Sequence, residues 1–207
     1  MEGENCPPFK LCGSVNVSFP FAILPEQTME TRCGLIGFQV RCTNTTPYPG
    51  YNRQNHWFQI LDIFYDNSSL IVTDVDELQD FSSCHIPANN ISKHVDPFSI
   101  SAVNQNLIFY NCTKAPATID SGLVQTRCGN NTFVRVGGPY GYNESGSYFI
   151  EGCDAIVMPV LGDPVKTDAS RYQELISGGF LLTWQQPASV GKFTNSPVKV
   201  TEKFIQI

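Results

Sequence analysis

The 207-residue sequence carries little charge, lacks a long apolar run and contains no closely paired cysteines. Only 15% of its residues are charged, with a formal net charge of -6, which argues against nucleic acid or anionic lipid as a partner. The apolar stretch 155–161 is interrupted by Pro159 and is far shorter than the roughly 20 residues that span a bilayer. An apolar leader after Met1 is also missing, so we expect a truncated gene model or an excised part of a longer chain.

Signatures of catalysis and of metal binding are absent from the sequence as well. It has no glycine-rich phosphate loop, no H-R-D and no D-F-G motif, which argues against phosphate transfer by this chain. G-x-S-x-G and H-E-x-x-H are missing, and the three histidines lack metal-ligand spacing. We therefore expect no enzyme, no cofactor and no bound metal, with a calcium site at Asp74, Asp76 and Asp80 as a weaker alternative.

Eight cysteines are spread singly along the chain, and none is spaced as C-x-x-C. This spacing argues against a zinc ribbon or a thioredoxin-like site. It predicts up to four disulfides and an oxidising compartment, and it leaves the pairing open. The cysteines are Cys6, Cys12, Cys33, Cys42, Cys84, Cys112, Cys128 and Cys153.

N-glycosylation triplets are a second, independent sign of secretion. Seven asparagines begin an N-x-S/T triplet, whereas chance would give roughly two, and such acceptors belong on exposed loops of secreted proteins. With the cysteines, they predict an extracellular glycoprotein. The acceptors are Asn16, Asn44, Asn67, Asn90, Asn111, Asn130 and Asn143.

Short alternating segments separated by turn residues predict mainly β structure with little helix, as two small disulfide-stapled antiparallel-sheet modules. Residues 66–68 are typical of a hairpin turn, and a helix is expected from Asp168 to Ile176, stopped by Gly178 and Gly179. The predicted strands are 37–42, 57–64, 70–72, 107–110, 132–136 and 180–184.

An acidic run at 74–80 indicates a boundary between the two modules. We expect one module over residues 6–75 and a second over 84–185. Residues 186–207 contain no cysteine and no acceptor, and they are predicted to form an atypical tail.

The first module resembles a known plant family through three motifs in order. These are Cys12-Gly13, then Val17-Ser18-Phe19-Pro20-Phe21, then the stretch from Cys33-Gly34 to Cys42. Together they are similar to the galacturonan-binding module of plant wall-associated receptor kinases. The resemblance implies a cell-wall pectic polysaccharide as the partner.

The second module resembles the wall-associated kinase C-terminal extracellular module. The similarity lies in Leu107-Ile108-Phe109-Tyr110-Asn111-Cys112 and in the helix leading to Ser177-Gly178-Gly179-Phe180 and Trp184. The tandem is similar to the ectodomain of leaf rust resistance locus receptor-like kinases. Such receptors lie in the plasma membrane and carry a serine/threonine kinase, so the resemblance implies a cell-surface location. From Gln185 onward the sequence departs from the cysteine-rich segment usual in that family.

A polyanionic ligand restricts where this acidic chain could bind it. Galacturonan would need a local basic patch, where arginine can grip a carboxylate in bidentate fashion and an aromatic ring can stack on a sugar. Solvated surface for the arginines and a core position for Trp57 are the open alternatives. The candidates are Arg32, Arg41, Arg53, Tyr48, Tyr51 and Trp57.

An interaction module that recognises a peptide or a co-receptor protein is the alternative function. The two functions predict different surfaces: a coherent exposed apolar patch for a protein partner, and an aromatic and arginine-lined groove for a polysaccharide.

Overall fold

The computed structural model describes residues 6–25, 31, 33–50, 58–74, 95–116, 122–140, 149–162 and 167–185. Of these, 49% lie in strands and 8% in helices, which confirms the predicted fold class. The strands are β1 (Phe9–Cys12), β2 (Val15–Ser18), β3 (Ala22–Ile23), β4 (Gln39–Thr43), β5 (Thr46–Pro49), β6 (Phe58–Phe64), β7 (Ser69–Asp74), β8 (Ser99–Ile100), β9 (Gln105–Cys112), β10 (Val124–Gln125), β11 (Thr132–Pro139), β12 (Cys153–Val160) and β13 (Phe180–Thr183). A 3₁₀ turn (Ala169–Arg171) runs into the helix α1 (Tyr172–Gly178).

The N-terminal part contains two small sheets. Antiparallel β1 and β2 form a hairpin that buries Val15 and Val17 on one face. In the three-stranded sheet, β4 lies in the centre, parallel to β3 and antiparallel to β5. Alternation along β4 buries Val40 completely, so one face of this sheet belongs to the core.

A four-stranded sheet, in the order β6-β7-β13-β8, combines distant parts of the chain. The predicted hairpin is present: β6 and β7 pair antiparallel across residues 65–68, with a register shift between Ile60 and Asp62. The C-terminal strand β13 then pairs with β7, placing Leu182 opposite Leu70. Strand β8 pairs with the other edge of β13. Both strands belong to the second predicted module, so that module extends a sheet begun by strands of the first module.

An aromatic cluster fills the core between these sheets. Trp184 packs edge-on against Phe21 and Phe38, with ring centroids 5.1 and 6.1 Å away, and Phe98 stacks on Phe21 at 5.9 Å. Edge-to-face aromatic pairs stabilise beyond the area they bury. The N-terminal core is thus completed by side chains from residues 95–100 and 180–184.

The second four-stranded sheet has the order β10-β11-β9-β12, with β9 central and antiparallel to both neighbours. Both faces of β9 are buried, because Leu107 and Phe109 pack under α1 while Ile108 and Tyr110 belong to a second cluster. Burial on both faces explains why β9 is a continuous apolar run rather than an alternating one.

The helical segment follows the predicted cap and stops at the predicted glycines, but its first turn is the 3₁₀ turn, so α1 itself begins at Tyr172 rather than at Asp168 and ends at Gly178 rather than at Ile176. The Asp168 side chain accepts a hydrogen bond from the Ser170 N–H at 2.9 Å and caps the 3₁₀ turn. Gly179 ends the helix with a φ of +72°, and a Cβ there would lie 2.2 Å from the Val72 carbonyl oxygen. The stop therefore needs glycine both for its backbone conformation and for the close approach of β7.

Polar contacts join the β6-β7-β13-β8 sheet to the residue that precedes β9 and to α1. The buried Asn104 side chain donates to the carbonyl oxygens of Ser101 and Leu181 and accepts from the Leu181 N–H, at 2.7 to 2.8 Å. Thr73 donates to the Ile176 carbonyl oxygen at 3.1 Å. The division into modules 6–75 and 84–185 stays a prediction, and these contacts show how closely the described parts of the two segments are joined.

Three disulfides join cysteines in the described part of the chain, which confirms the disulfide prediction and supplies pairings the sequence left open. Two of them lie in the N-terminal part. The third links opposed residues of β9 and β12, at the other end of this strand pair from the residues that pack against α1. Cys128 is half-buried after β10, while Cys84 lies outside the described residues. The pairs are Cys6 with Cys33, Cys12 with Cys42, and Cys112 with Cys153.

Candidate functional site

Arg41 and Tyr48 are the two predicted site residues that fall in the described part of the chain, and the structure places them directly opposite each other. Arg41 lies on β4 and Tyr48 on β5, and they form one antiparallel pair. Directly opposed residues project from the same face of a sheet, with Cβ atoms about 4.5 to 5.5 Å apart. Both are half-buried, so each keeps some exposed surface.

The turn between β4 and β5 sets this pairing. Asn44 and Thr45 both have positive φ, 49° and 65°, as the two central residues of a tight hairpin turn do. Because Arg41 and Tyr48 are equally distant from that turn along the chain, they become partners. A two-residue turn centred on an Asn was the sequence signal that could have predicted their juxtaposition.

Gln39 and Gly50 define the other end of this face. The Gln39 side chain accepts from the Gly37 N–H at 2.9 Å and donates to the Leu35 carbonyl oxygen at 3.0 Å, which fixes the approach to β4. The Gly50 N–H donates to the Gln39 carbonyl oxygen at 2.7 Å, and a Cβ at Gly50 would lie 2.9 Å from both Gln39 Cβ and Leu24 Cδ1. A larger residue at 50 would push the strand away from β4.

The pair combines two chemistries suited to an acidic sugar. A guanidinium offers a planar fork of N–H donors that matches a carboxylate, and a phenol ring offers an apolar face with a polar tip. Arg41 and Tyr48 thus bring both predicted chemistries together on one face of the sheet. The other four candidates, Arg32, Tyr51, Arg53 and Trp57, lie outside the described residues.

Residues 6–74 match the family model described as wall-associated receptor kinase galacturonan-binding. This galacturonan-binding match spans β1 to β7 and includes both Arg41 and Tyr48. Comparisons with curated proteins and with solved structures gave no match. The resemblances to the C-terminal module and to the leaf rust resistance locus receptors stay predictions.

A shallow pocket of about 250 Å³ lies beside α1, outside the galacturonan-binding match. Hydrogen bonds from Ser170 lower the pKa of Asp168, and the hydrogen bond from Arg171 lowers the pKa of Glu174. Two carboxylates and one guanidinium leave this pocket with a net negative charge, which does not favour a polyanion. Its lining residues are Leu161, Gly162, Thr167, Asp168, Arg171, Glu174 and Leu175.

Within the described ranges, no group of three or more His, Cys, Asp and Glu side chains is arranged to hold a metal ion. Of the acidic run, Asp74 ends β7, whereas Asp76 and Asp80 lie outside those ranges. None of the helices that the structure describes is long and apolar enough to cross a bilayer.

The predicted glycan acceptors that the structure describes are all exposed. Asn16 and Asn111 lie on strands, and the other three lie in turns. Exposure is what glycosylation of a folded protein requires, so the acceptor prediction is physically consistent with the fold. Asn90 and Asn143 lie outside the described residues. The exposed acceptors are Asn16, Asn44, Asn67, Asn111 and Asn130.

Four of the exposed apolar side chains in the N-terminal part were not predicted to lie at the surface. Phe9 and Leu11 lie on β1, and Phe19 and Ile36 lie on two turns joined by a hydrogen bond from the Leu35 N–H to the Pro20 carbonyl oxygen. Ile36 is 95% exposed. Residues 9–12 were not among the predicted strands, and alternation would not have shown which face of such a hairpin meets the core, so sequence reasoning missed this surface.

Proposed function

We propose that this chain is a non-catalytic extracellular module that binds pectic polysaccharide, of the kind carried by plant receptor-like kinases. The observation that carries the proposal is the juxtaposition of Arg41 and Tyr48 inside the galacturonan-binding match. Exposed glycan acceptors and the disulfides support an extracellular location. The lack of catalytic motifs in the sequence supports a binding role.

The acidic net charge of the chain restricts how Arg41 contributes to binding a polyanion. The formal net charge of -6 repels a polyanion at long range, so affinity has to come from short-range, charge-assisted hydrogen bonds. A half-buried guanidinium is less screened than one on an extended surface side chain. We therefore assign carboxylate recognition to Arg41 and sugar stacking to Tyr48.

The test uses the full chain secreted from a eukaryotic host behind an added signal peptide. Binding to de-esterified oligogalacturonides and to methyl-esterified ones is measured by calorimetry at physiological salt, with and without calcium. We expect binding to the de-esterified ligand only, because esterification removes the charge that Arg41 recognises.

Substitutions at Arg41 then locate the site. Arg41→Gln should weaken binding about tenfold or more, since a hydrogen bond to a charged group contributes roughly 1.5 to 3 kcal/mol. Arg41→Lys should recover part of the loss by keeping the charge. Arg127→Gln, which removes an exposed arginine after β10 outside the match, is the control and should bind normally. Unchanged affinity in Arg41→Gln would remove Arg41 from the site, and the triple change with Arg32 and Arg53 would then test the remaining arginines.

Recognition of a protein partner is the second candidate function, and the exposed Phe19 and Ile36 favour it. Their two turns are held together by the bond from Leu35 to Pro20, so the side chains project from a fixed surface. Folded protein that binds no glycan, with co-receptor binding lost in a Phe19→Ser and Ile36→Ser double variant, would favour this function over the first.

A further inference from the structure

The β1 and β2 hairpin has one buried face and one exposed face, and the exposed face is apolar on one strand. Val15 and Val17 point to the core, whereas Phe9 is 56% and Leu11 60% exposed. Among the described strands, β1 pairs only with β2. Exposed apolar residues on an edge strand normally invite pairing with another chain, so something is expected to cover them.

The register of the hairpin places a glycosylation triplet against these two residues. Asn16 lies directly opposite Leu11, and Ser18 lies directly opposite Phe9. Opposed residues share a face with Cβ atoms about 4.5 to 5.5 Å apart. Both functional residues of the Asn16-Val17-Ser18 triplet therefore project beside the exposed apolar side chains.

The main chain at Asn16 is fixed from both sides. On one side it pairs with β1, and on the other the Tyr65 hydroxyl donates to the Asn16 carbonyl oxygen at 2.8 Å and accepts from the Ser18 N–H at 2.7 Å. These bonds prevent rotation of β2 about its own axis. The Asn16 side chain therefore stays on the face that carries Leu11.

We propose that an N-linked glycan on Asn16 lies over Phe9 and Leu11 and shields this face of the hairpin. An N-acetylglucosamine unit has C–H faces and an acetyl methyl group that can pack on apolar side chains, while its hydroxyls face water. Tethering beside Leu11 gives the sugar a high effective concentration at this surface, which a second copy of the chain lacks. The bulk of the glycan also hinders addition of another strand to β1.

Asn111 provides an internal comparison. It also lies within a strand, but its opposed neighbours are Thr132 and Asp154, both polar. A glycan on Asn111 has no apolar cross-strand partner. The shielding role therefore belongs to Asn16 and not to every acceptor on a strand.

The experiment uses the full chain secreted from a eukaryotic host, with occupancy of Asn16 read by peptide mass spectrometry. Ser18→Ala removes the acceptor triplet and keeps both the Asn16 side chain and the backbone bond to Tyr65. Ser18→Thr retains the triplet and is the matched control. We expect Ser18→Ala to bind more hydrophobic dye and to self-associate at lower concentration than Ser18→Thr.

Two further variants separate shielding from a general effect of glycans. Asn111→Gln removes a glycan from a polar setting and should leave dye binding unchanged. In a Phe9→Ser and Leu11→Ser background, the difference between Ser18→Ala and Ser18→Thr should disappear. An unoccupied Asn16, equal dye binding by the two Ser18 variants, or a wild-type dimer that the β1 double variant dissociates would each overturn the proposal.

Discussion

Replacing Trp184 by alanine tests whether the C-terminal strand completes the core of the galacturonan-binding match. The indole is 7% exposed and packs against Phe21, Phe38, Phe98 and Tyr65, with ring centroids between 5.1 and 6.5 Å. Two of these four partners, Phe21 and Phe38, also contact each other and Phe98, so Trp184 belongs to one connected cluster of rings.

The magnitude follows from the size of the side chain and its burial. Replacing a buried Trp by Ala typically lowers the free energy of unfolding by about 3 to 5 kcal/mol, because both transfer energy and a cavity are involved. The loss of four edge-on ring contacts puts Trp184 at the upper part of that range. Since single domains have a stability of roughly 5 to 15 kcal/mol, Trp184→Ala should approach the limit of folding.

Urea unfolding followed by circular dichroism measures the change without relying on the removed fluorophore. Trp184→Phe should lose less, because it keeps an aromatic ring in the cluster. Phe149→Ala, which truncates a side chain that is 77% exposed, is the control and should stay within about 0.5 kcal/mol of wild type. A loss below about 1 kcal/mol in Trp184→Ala would refute the reasoning, because a fully packed indole cannot be removed at so small a cost.

Two further substitutions test the contacts between the sheet systems. Asn104→Ala removes the acceptor of the Leu181 N–H, whereas the Ser101 and Leu181 carbonyl oxygens each keep one backbone N–H donor. We expect a loss of roughly 1 to 3 kcal/mol in urea unfolding, and a near-neutral result would contradict that role. Gly179→Ala places a Cβ against the Val72 carbonyl oxygen at positive φ, and it should lower the free energy of unfolding by at least as much as a strained residue costs, about 1 to 3 kcal/mol. Gly178→Ala, where a Cβ meets nothing within 4 Å, is its matched control and should be neutral or stabilising.

Local patterns were sufficient to predict the elements whose neighbours lie close in sequence. Alternation around residues 66–68 predicted the β6 and β7 hairpin, and Asp168 with Gly179 marked both ends of the helical segment. The strand β12 was missed because Pro159 interrupts a short apolar run, although the proline lies near the strand's end. Short strands such as β3 and β8 gave too few residues for any periodicity to register.

Long-range pairing and the arrangement of the site could not be predicted in the same way. Periodicity describes one segment at a time, so nothing in β13 indicates that it will pair with β7. The sequence did indicate Arg41 and Tyr48 as candidates, but their opposition depends on the hairpin register set by Asn44 and Thr45. Exposed Phe9 and Leu11 were missed for a related reason, because apolar alternation alone does not say which face of a hairpin is covered.

Because β13 pairs with β7, the N-terminal sheet can be completed only after the C-terminal part has been synthesised. Strands β1 to β7 leave the ribosome long before residues 180–184, yet their aromatic core needs Trp184 and their sheet needs β13. Contacts between such distant segments form slowly, because a long loop has to close first. On the proposed secretory route, the predicted acceptors Asn16, Asn44 and Asn67 would therefore meet the glycosylation machinery while the segment that carries them is still unfinished, and sugars added there would precede the last strand.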